Sequence, residues 1–273
     1  MVGGKQIDIP RQQGTVLLPM KPLVSVVTPS HNAAAVLGQA VNAVVDQTLA
    51  PLEHIIIDDG STDGTAELLQ ELGREIPHLR YVHQKRLGAG MARNLGIEAA
   101  QGRYIAFLDS DDLWLPRKLE SQVSFMEEQQ CVFSYGDYLE HDRNSGRAVR
   151  AFRTPHTLTY QDFLHGCPIG CLTVAYNQEA MGKSYMPRVA RGQDWGLWLA
   201  LTRNGALAMR YPGTEAVYFH GRGGLSSNKL RKFLDIYRIY REQERIGPAR
   251  TLGLLTRHTM NSLRKRWLAG LPG

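Results

Sequence analysis

Tyr104-Ile105-Ala106-Phe107-Leu108-Asp109-Ser110-Asp111-Asp112 runs from a short apolar segment straight into three carboxylates. An unbroken apolar run of this length reads as a strand buried on both faces, the kind found in parallel sheets. The acids therefore stand at the strand's carboxyl end, where open α/β sheets gather their ligands. Like charges packed so closely raise one another's pKa unless a cation intervenes. A divalent ion is the natural partner, because Mg2+ and Mn2+ take hard oxygen ligands and share carboxylates with substrate phosphates. The other reading is a loop whose aspartates cap a helix near Pro116, which Asp112 alone could do.

Upstream, the same strand-then-helix grammar recurs. Leu23 to Thr28 is a β-branched run stopped by Pro29, and apolar residues at Val36, Leu37, Ala40, Val41, Val44 and Val45 predict a helix over 33–48. His54 to Asp58 is a second strand, with Ser61 or Asp63 available to cap a helix that begins near Thr65. A third strand covers 79–83 and a helix 88–100, with Gly96 tolerated inside it. Alternation with short connections gives an α/β fold, a mostly parallel sheet with helices on both faces. After Asp112 the order changes to a helix over 116–128, a strand over 132–135 and an irregular polar stretch over 142–155. Helices are then expected at 192–204 and 229–246, and a basic one at 251–268.

The chain has 273 residues and 43% hydrophobic content, enough for one large domain with an appendage. No run of about eighteen apolar residues occurs, and the start is polar, so neither spanning nor secretion is expected. Cys131, Cys167 and Cys171 show neither metal-knuckle spacing nor an even count, which suits a reducing, cytoplasmic compartment. Charge is uneven: residues 221–273 carry twelve Lys/Arg against three Asp/Glu, a net +9, whereas the other 220 residues sum to −3. A near-neutral body with a basic tail points to an anionic surface.

Two further constellations accompany the acids. Asp58-Asp59-Gly60-Ser61 ends another strand, where one carboxylate can accept from a base N–H or a ribose hydroxyl, although a turn with a helix cap explains it equally. Gly88 to Asn94 opens a helix with glycines and places Arg93 just inside it, a combination that favours a phosphate. The glycine spacing is not the dinucleotide fingerprint.

Val-Val-Thr-Pro-Ser-His-Asn (26–32), Ile-Asp-Asp-Gly-Ser-Thr-Asp (57–63), Ala-Arg-Asn-Leu-Gly-Ile (92–97) and the run over 104–112, in this order, closely resemble the large inverting family of bacterial glycosyltransferases called family two. The resemblance covers about residues 22–224. It implies the A-type glycosyltransferase fold, a Rossmann-like nucleotide-binding half fused to an acceptor-binding half. The implied division is an N-terminal arm over 1–21, a glycosyltransferase domain over 22–228 and a basic helical extension over 229–273. By similarity, Pro29, His31 and Asn32 line the base pocket, with His31 in place of a frequent Tyr. Asp59 looks like the carboxylate that reads uracil or its ribose, and Arg93 stands near the base or diphosphate. Asp109 and Asp111 match the Asp-X-Asp motif, Asp109 toward the ribose and Asp111 on the metal.

The resemblance further implies a metal-dependent hexosyl- or N-acetylhexosaminyltransferase that uses a UDP-sugar with Mn2+ or Mg2+ and forms a β-linkage. A single displacement needs a base opposite the leaving diphosphate. Gln193-Asp194-Trp195 resembles the family's Glu-Asp pair, so Asp194 is the candidate base. Trp195 is the candidate for the acceptor sugar, although for it and for Trp198 the core is the commoner fate. His220 and the glycines after it resemble a mobile histidine-serine segment that completes the metal shell or touches the diphosphate. A nucleotide-sugar-binding protein without turnover is the alternative. A sugar-phosphate nucleotidyltransferase would want a glycine-rich loop after the first strand, which Pro-Ser-His-Asn lacks, and no nucleic-acid motif accompanies the basic tail.

In that tail Leu252, Leu255, Thr259, Leu263 and Trp267 fall near one helical stripe, with Arg257, Arg264, Lys265 and Arg266 around it. This pattern fits an interfacial helix, or one packed on the domain or a second subunit. At a bilayer it would make the protein peripheral on the inner face of the cytoplasmic membrane. A lipid-linked acceptor for surface polysaccharide would then be at hand.

Overall fold

The computed structural model describes residues 23–145, 147–220 and 229–257. Its central sheet has eight strands in the order β3-β2-β1-β4-β10-β6-β11-β9. The first half is the expected alternation: β1 (Val24–Ser30), α1 (Leu37–Val45), β2 (Glu53–Asp59), α2 (Thr65–Glu75), β3 (Leu79–Gln84), α3 (Ala89–Ala99) and β4 (Tyr104–Phe107). These four strands are parallel, with Val27 level with Ile55 on one side and Phe107 on the other. β1 continues through Pro29, which pairs in register with Ile57. At that level β4 has already ended, so the amide that proline lacks would have had no partner on that side.

α3 lies against β1 and β2 closely enough that a Cβ on Gly96 would come within 2.4 Å of Val27 Cγ1. Gly96 is therefore required by the helix-on-sheet packing, not merely tolerated within the helix. The cap position of α2 is taken by Gly64 and not by Ser61 or Asp63; Asp63, one residue earlier, accepts from the Thr65 amide through Oδ1 at 3.2 Å.

The second half begins with β5 (Leu113–Trp114), α4 (Lys118–Glu128) and β6 (Phe133–Tyr135), followed by β7 (Tyr138–Asp142) and β8 (Ala148–Phe152). β7 and β8 form an antiparallel hairpin where an irregular polar stretch is expected. Glu140 is buried although charged and Val149 is 58% exposed although apolar, so hydropathy does not mark the two faces of the hairpin. Next come β9 (Thr157–Leu158), α5 (Tyr160–Leu164), β10 (Ala175–Asn177), α6 (Gln178–Met181), α7 (Gln193–Thr202), β11 (Ala208–Arg210) and β12 (Ala216–His220). β10 is antiparallel to both β4 and β6, and β11 is parallel to β6. β5, β12, β7 and β8 make a second, four-stranded sheet.

The core between the halves is aromatic. The Trp198 ring of α7 is fully buried, 5.9 Å from Phe107 and 5.4 Å from Phe133. α8 (Lys229–Arg238) passes into a π turn (Ile239–Gln243), where Tyr240 is buried and donates to the Leu164 carbonyl at 2.5 Å. A last helical stretch, 248–257, buries Thr251, Leu254 and Leu255 while Leu252 is 66% exposed. Leu252 and Leu255 thus do not share a solvent stripe, and this part of the basic tail packs on the domain. The rest of the expected tail helix, and the glycines after His220, lie outside the described residues. Among the described residues no helix is long and apolar enough to cross a membrane.

Candidate active site

The carboxyl ends of β1, β2 and β4 open into a cleft of about 480 Å³. Its walls include Pro29, His31 and Asn32 after β1, Asp59 at the end of β2, Arg93 of α3, and Asp109, Ser110 and Asp111 after β4. Seven of the expected residues are thus gathered on one wall system, as a ligand site at parallel strand ends requires. Arg143, from the turn between β7 and β8, also lines it.

The loop after β1 is built to hold its shape. Asn32 sits at φ 50°, its amide donates to Ser61 Oγ at 2.9 Å, and its Oδ1 accepts from the Thr62 amide at 2.8 Å. Asparagine is among the side chains that tolerate this left-handed backbone. His31 Nδ1 lies 2.9 Å from the Asp59 carbonyl, a contact that requires the proton on Nδ1.

Asp59 has a structural task that the sequence reading did not include. Its Oδ1 accepts from the Leu87 amide at 2.7 Å and from Gln84 Nε2 at 2.6 Å, while Oδ2 accepts from the Gly88 amide at 2.8 Å. The carboxylate fixes the turn that starts α3, and Gly88 supplies that turn's φ of 94°. Through α3 it therefore fixes Arg93.

Arg93 is buried, with its Nη2 on Asp109 Oδ1. Burial works against its charge, but Asp109 and the neighbouring Cys171 and Asp194 hold the guanidinium protonated. Its Nε is buried without a hydrogen-bond partner. Beyond Asp109 the acids repel. Burial and then Asp109 push the Asp111 carboxyl above its ordinary value; burial, Asp109 and Asp111 push Asp112 well above it. Asp112 points away from the cleft, accepting from the Phe219 amide at 3.1 Å, so it ties the acidic loop to β12.

Among the described residues no three acidic, imidazole or thiol side chains converge to hold a metal ion. The donor chemistry nevertheless fits a divalent ion of the shared kind, which takes one or two carboxylates from the protein and the rest from substrate phosphates and water. Asp111, with its side chain half exposed at the cleft, is the available oxygen ligand.

Asp194 occupies the first turn of α7. Gly192, at φ 71°, takes the cap position, so Asp194 is not the helix's cap and its negative charge sits at the positive end of the dipole. Burial raises its pKa, Arg93 lowers it, and Asp109 raises it. These interactions put Asp194 in the electrostatic neighbourhood of the Arg93–Asp109 pair. The start of α3 and the start of α7 touch: a Cβ on Gly90 would meet Gln193 Cγ at 2.9 Å.

Three expected residues, Asp194, Trp195 and His220, are not among those that line the cleft. Trp195 is 3% exposed, donates from Nε1 to the Phe163 carbonyl at 2.7 Å, and meets the Tyr240 ring edge-on at 5.3 Å. It is a core residue, because the inner face of α7 must cover the sheet, so it does not contact an acceptor. His220 places Nε2 3.3 Å from Glu140 Oε2 in the second sheet, and its ring lies against Tyr218. It is partnered there and does not line the cleft. Arg143 was missed because it falls in the stretch read as irregular.

Comparison with known proteins follows the same lines. The profile of Glycosyl transferase family 2 matches residues 25–181. A Bacillus subtilis (strain 168) protein named as a candidate teichuronic acid biosynthesis glycosyltransferase, TuaG, is 39% identical over 248 residues, 90% of this chain and 98% of its own. The Escherichia coli UDP-Glc:alpha-D-GlcNAc-diphosphoundecaprenol beta-1,3-glucosyltransferase WfgD is 36% identical over 212 residues, 77% of this chain and 82% of its own. Among solved structures, the mannosyltransferase PcManGT from Pyrobaculum calidifontis in complex with GDP-Man and Mn2+ superposes with a TM-score of 0.62. It is 19% identical and covers 88% of this chain and 70% of its own. That likeness carries the A-type glycosyltransferase fold.

Proposed function

The chain belongs to glycosyltransferase family 2, and from that premise we propose that it transfers a hexosyl or N-acetylhexosaminyl group from a UDP-sugar to a hydroxyl of a lipid-linked saccharide. The transfer inverts the anomeric carbon and gives a β-linkage during assembly of a surface polysaccharide. The observation that carries this reading is one cleft lined by the Pro29–Asn32 loop, Arg93, Asp109 and Asp111, with Asp194 electrostatically coupled to it through Arg93 and Asp109. The names of WfgD and of TuaG support the lipid-linked and cell-surface parts.

In this reading His31 and Asn32 bound the base pocket, and Asp59 holds α3 so that Arg93 fixes Asp109 toward the ribose. Asp111 is the ligand for Mn2+ or Mg2+, as the Mn2+ complex of the structural neighbour supports. When bound, such an ion acts as a Lewis acid that offsets the charge on the departing diphosphate. Asp194 takes the acceptor proton: burial raises its pKa, and a base works best when its pKa approaches the working pH.

The acceptor's membrane anchor suits an attached enzyme on the inner face of the cytoplasmic membrane. Phe233, Leu234 and Tyr237 on α8 are 41%, 46% and 42% exposed, in a region of net positive charge. An apolar ridge beside basic residues is what an interfacial helix presents. The reading is tested by measuring UDP release from a panel of UDP-sugars with lipid-linked and free saccharide acceptors, in Mn2+ and in EDTA. Metal-dependent release with one donor is expected. A folded protein that binds UDP and turns over no donor would support the binding-protein alternative.

A further inference from the structure

Three carboxylates follow β4, and each meets a different element. Asp109 is held by Arg93 of α3, and Asp112 by the Phe219 amide of β12. Asp111 is held by Arg143, which comes from the turn between β7 and β8. Its Nη2 donates to the Asp111 carbonyl and stands 3.2 Å from Asp111 Oδ2. The two arginines are not equivalent. The Arg93 side chain is 7% exposed and locked within the core, whereas that of Arg143 is 29% exposed and faces the cleft.

The turn that carries Arg143 is itself firm. Asp142 Oδ1 accepts from the Ser145 amide at 2.8 Å and from its hydroxyl at 2.9 Å, and the Arg143 amide donates to the His220 carbonyl at 3.0 Å. The guanidinium lies 5.1 Å from the Phe219 ring centre, a contact that uses none of its hydrogen-bond donors. The backbone is therefore anchored while the end of the side chain can turn about its own stem.

A guanidinium presents a planar fork of N–H donors that matches phosphate oxygens. One that lines a cleft and already rests beside Asp111 is within a side-chain rotation of whatever anionic group Asp111 serves. Resting on the proposed UDP-sugar reading, we propose that Arg143 is a diphosphate-binding residue: it pairs with Asp111 in the ligand-free protein and turns onto the terminal phosphate of the donor's diphosphate when donor binds. There it offsets charge on the leaving group, and its departure from Asp111 frees that carboxylate. The β7–β8 turn thereby belongs to the donor site although it is far in sequence from the strand-end motifs.

The test is calorimetric binding of UDP and of UMP, in Mn2+, to the native chain, Arg143→Gln, Arg143→Lys and Arg147→Gln. Loss of a charge-assisted fork is expected to weaken UDP about tenfold in Arg143→Gln, to leave UMP within about twofold, and to be partly recovered in Arg143→Lys. Arg147→Gln removes the same charge from the same turn and should change neither affinity. Equal UDP affinity in native and Arg143→Gln overturns the proposal. So does an equal loss of UDP and UMP, or an Arg147→Gln effect as large as that of Arg143→Gln. A native chain that binds UDP no better than UMP overturns the donor reading as well, and is recognised because no substitution is involved.

Discussion

Asp194 is the residue on which turnover should depend most sharply. It stands in the first turn of α7 with its carboxyl raised by burial. Asp194→Asn keeps the size and removes the basicity, so kcat is expected to fall by about 10²–10⁴-fold while UDP binding in Mn2+ is unchanged. The base must be ionised to accept a proton, so activity is lost as pH falls through its pKa. Because that pKa is raised from 3.8, the acid limb of kcat/KM should lie above the ordinary aspartate range, and Asp194→Asn should abolish it. A limb that persists in Asp194→Asn would move the base elsewhere. At this scale the sequence was informative wherever a residue follows a strand: Asp59, Asp109 and Asp111 were all legible. It failed for Trp195 and His220, because aromatic and imidazole side chains serve cores and sheet edges as readily as ligands, and only packing tells the two apart.

Among the elements, α3 packs on β1 and β2 and touches the start of α7. One of its glycines, Gly96, lets it sit on β1, and another, Gly90, lets its start meet Gln193 of α7. Gly96→Ala would drive a methyl into Val27, and overpacking of this kind should destabilise the fold by about 1–3 kcal/mol, read by denaturant unfolding. An unchanged midpoint would mean that α3 can lift off β1 without cost. The strands and helices up to Asp112 follow from their periodicity because they form a regular βαβ layer, in which only the edge strand β3 is largely exposed. The hairpin of β7 and β8 was not legible, since it buries the charged Glu140 and exposes the apolar Val149. The same blind spot concealed Arg143, and with it one wall of the cleft.

On the scale of the whole molecule, the tail divides its apolar residues between two environments. Ile236, Ile239 and Tyr240 are buried, whereas Phe233, Leu234 and Tyr237 are turned outward. Charge along 221–273 was evident from composition, but which apolar residues dock on the domain was not. The combined substitution Phe233→Ser, Leu234→Ser, Tyr237→Ser should lower partitioning onto vesicles containing anionic phospholipid by about tenfold or more, leaving UDP affinity intact. Sedimentation with such vesicles, at low and high salt, reads this directly, and undiminished partitioning of the variant would remove α8 from the membrane reading.

The reversed strand β10 lies between β4 and β6. By running against both neighbours it keeps β6 and β11 parallel to β1, β2 and β4, so that all five open onto a common rim. It is a seam: within the central sheet the two halves pair through a single short strand, while α7 and β12 join them outside it. The strand ends that hold the acids are thus tied to the far half by backbone pairing at β10, by Arg143 and by the Phe219 amide.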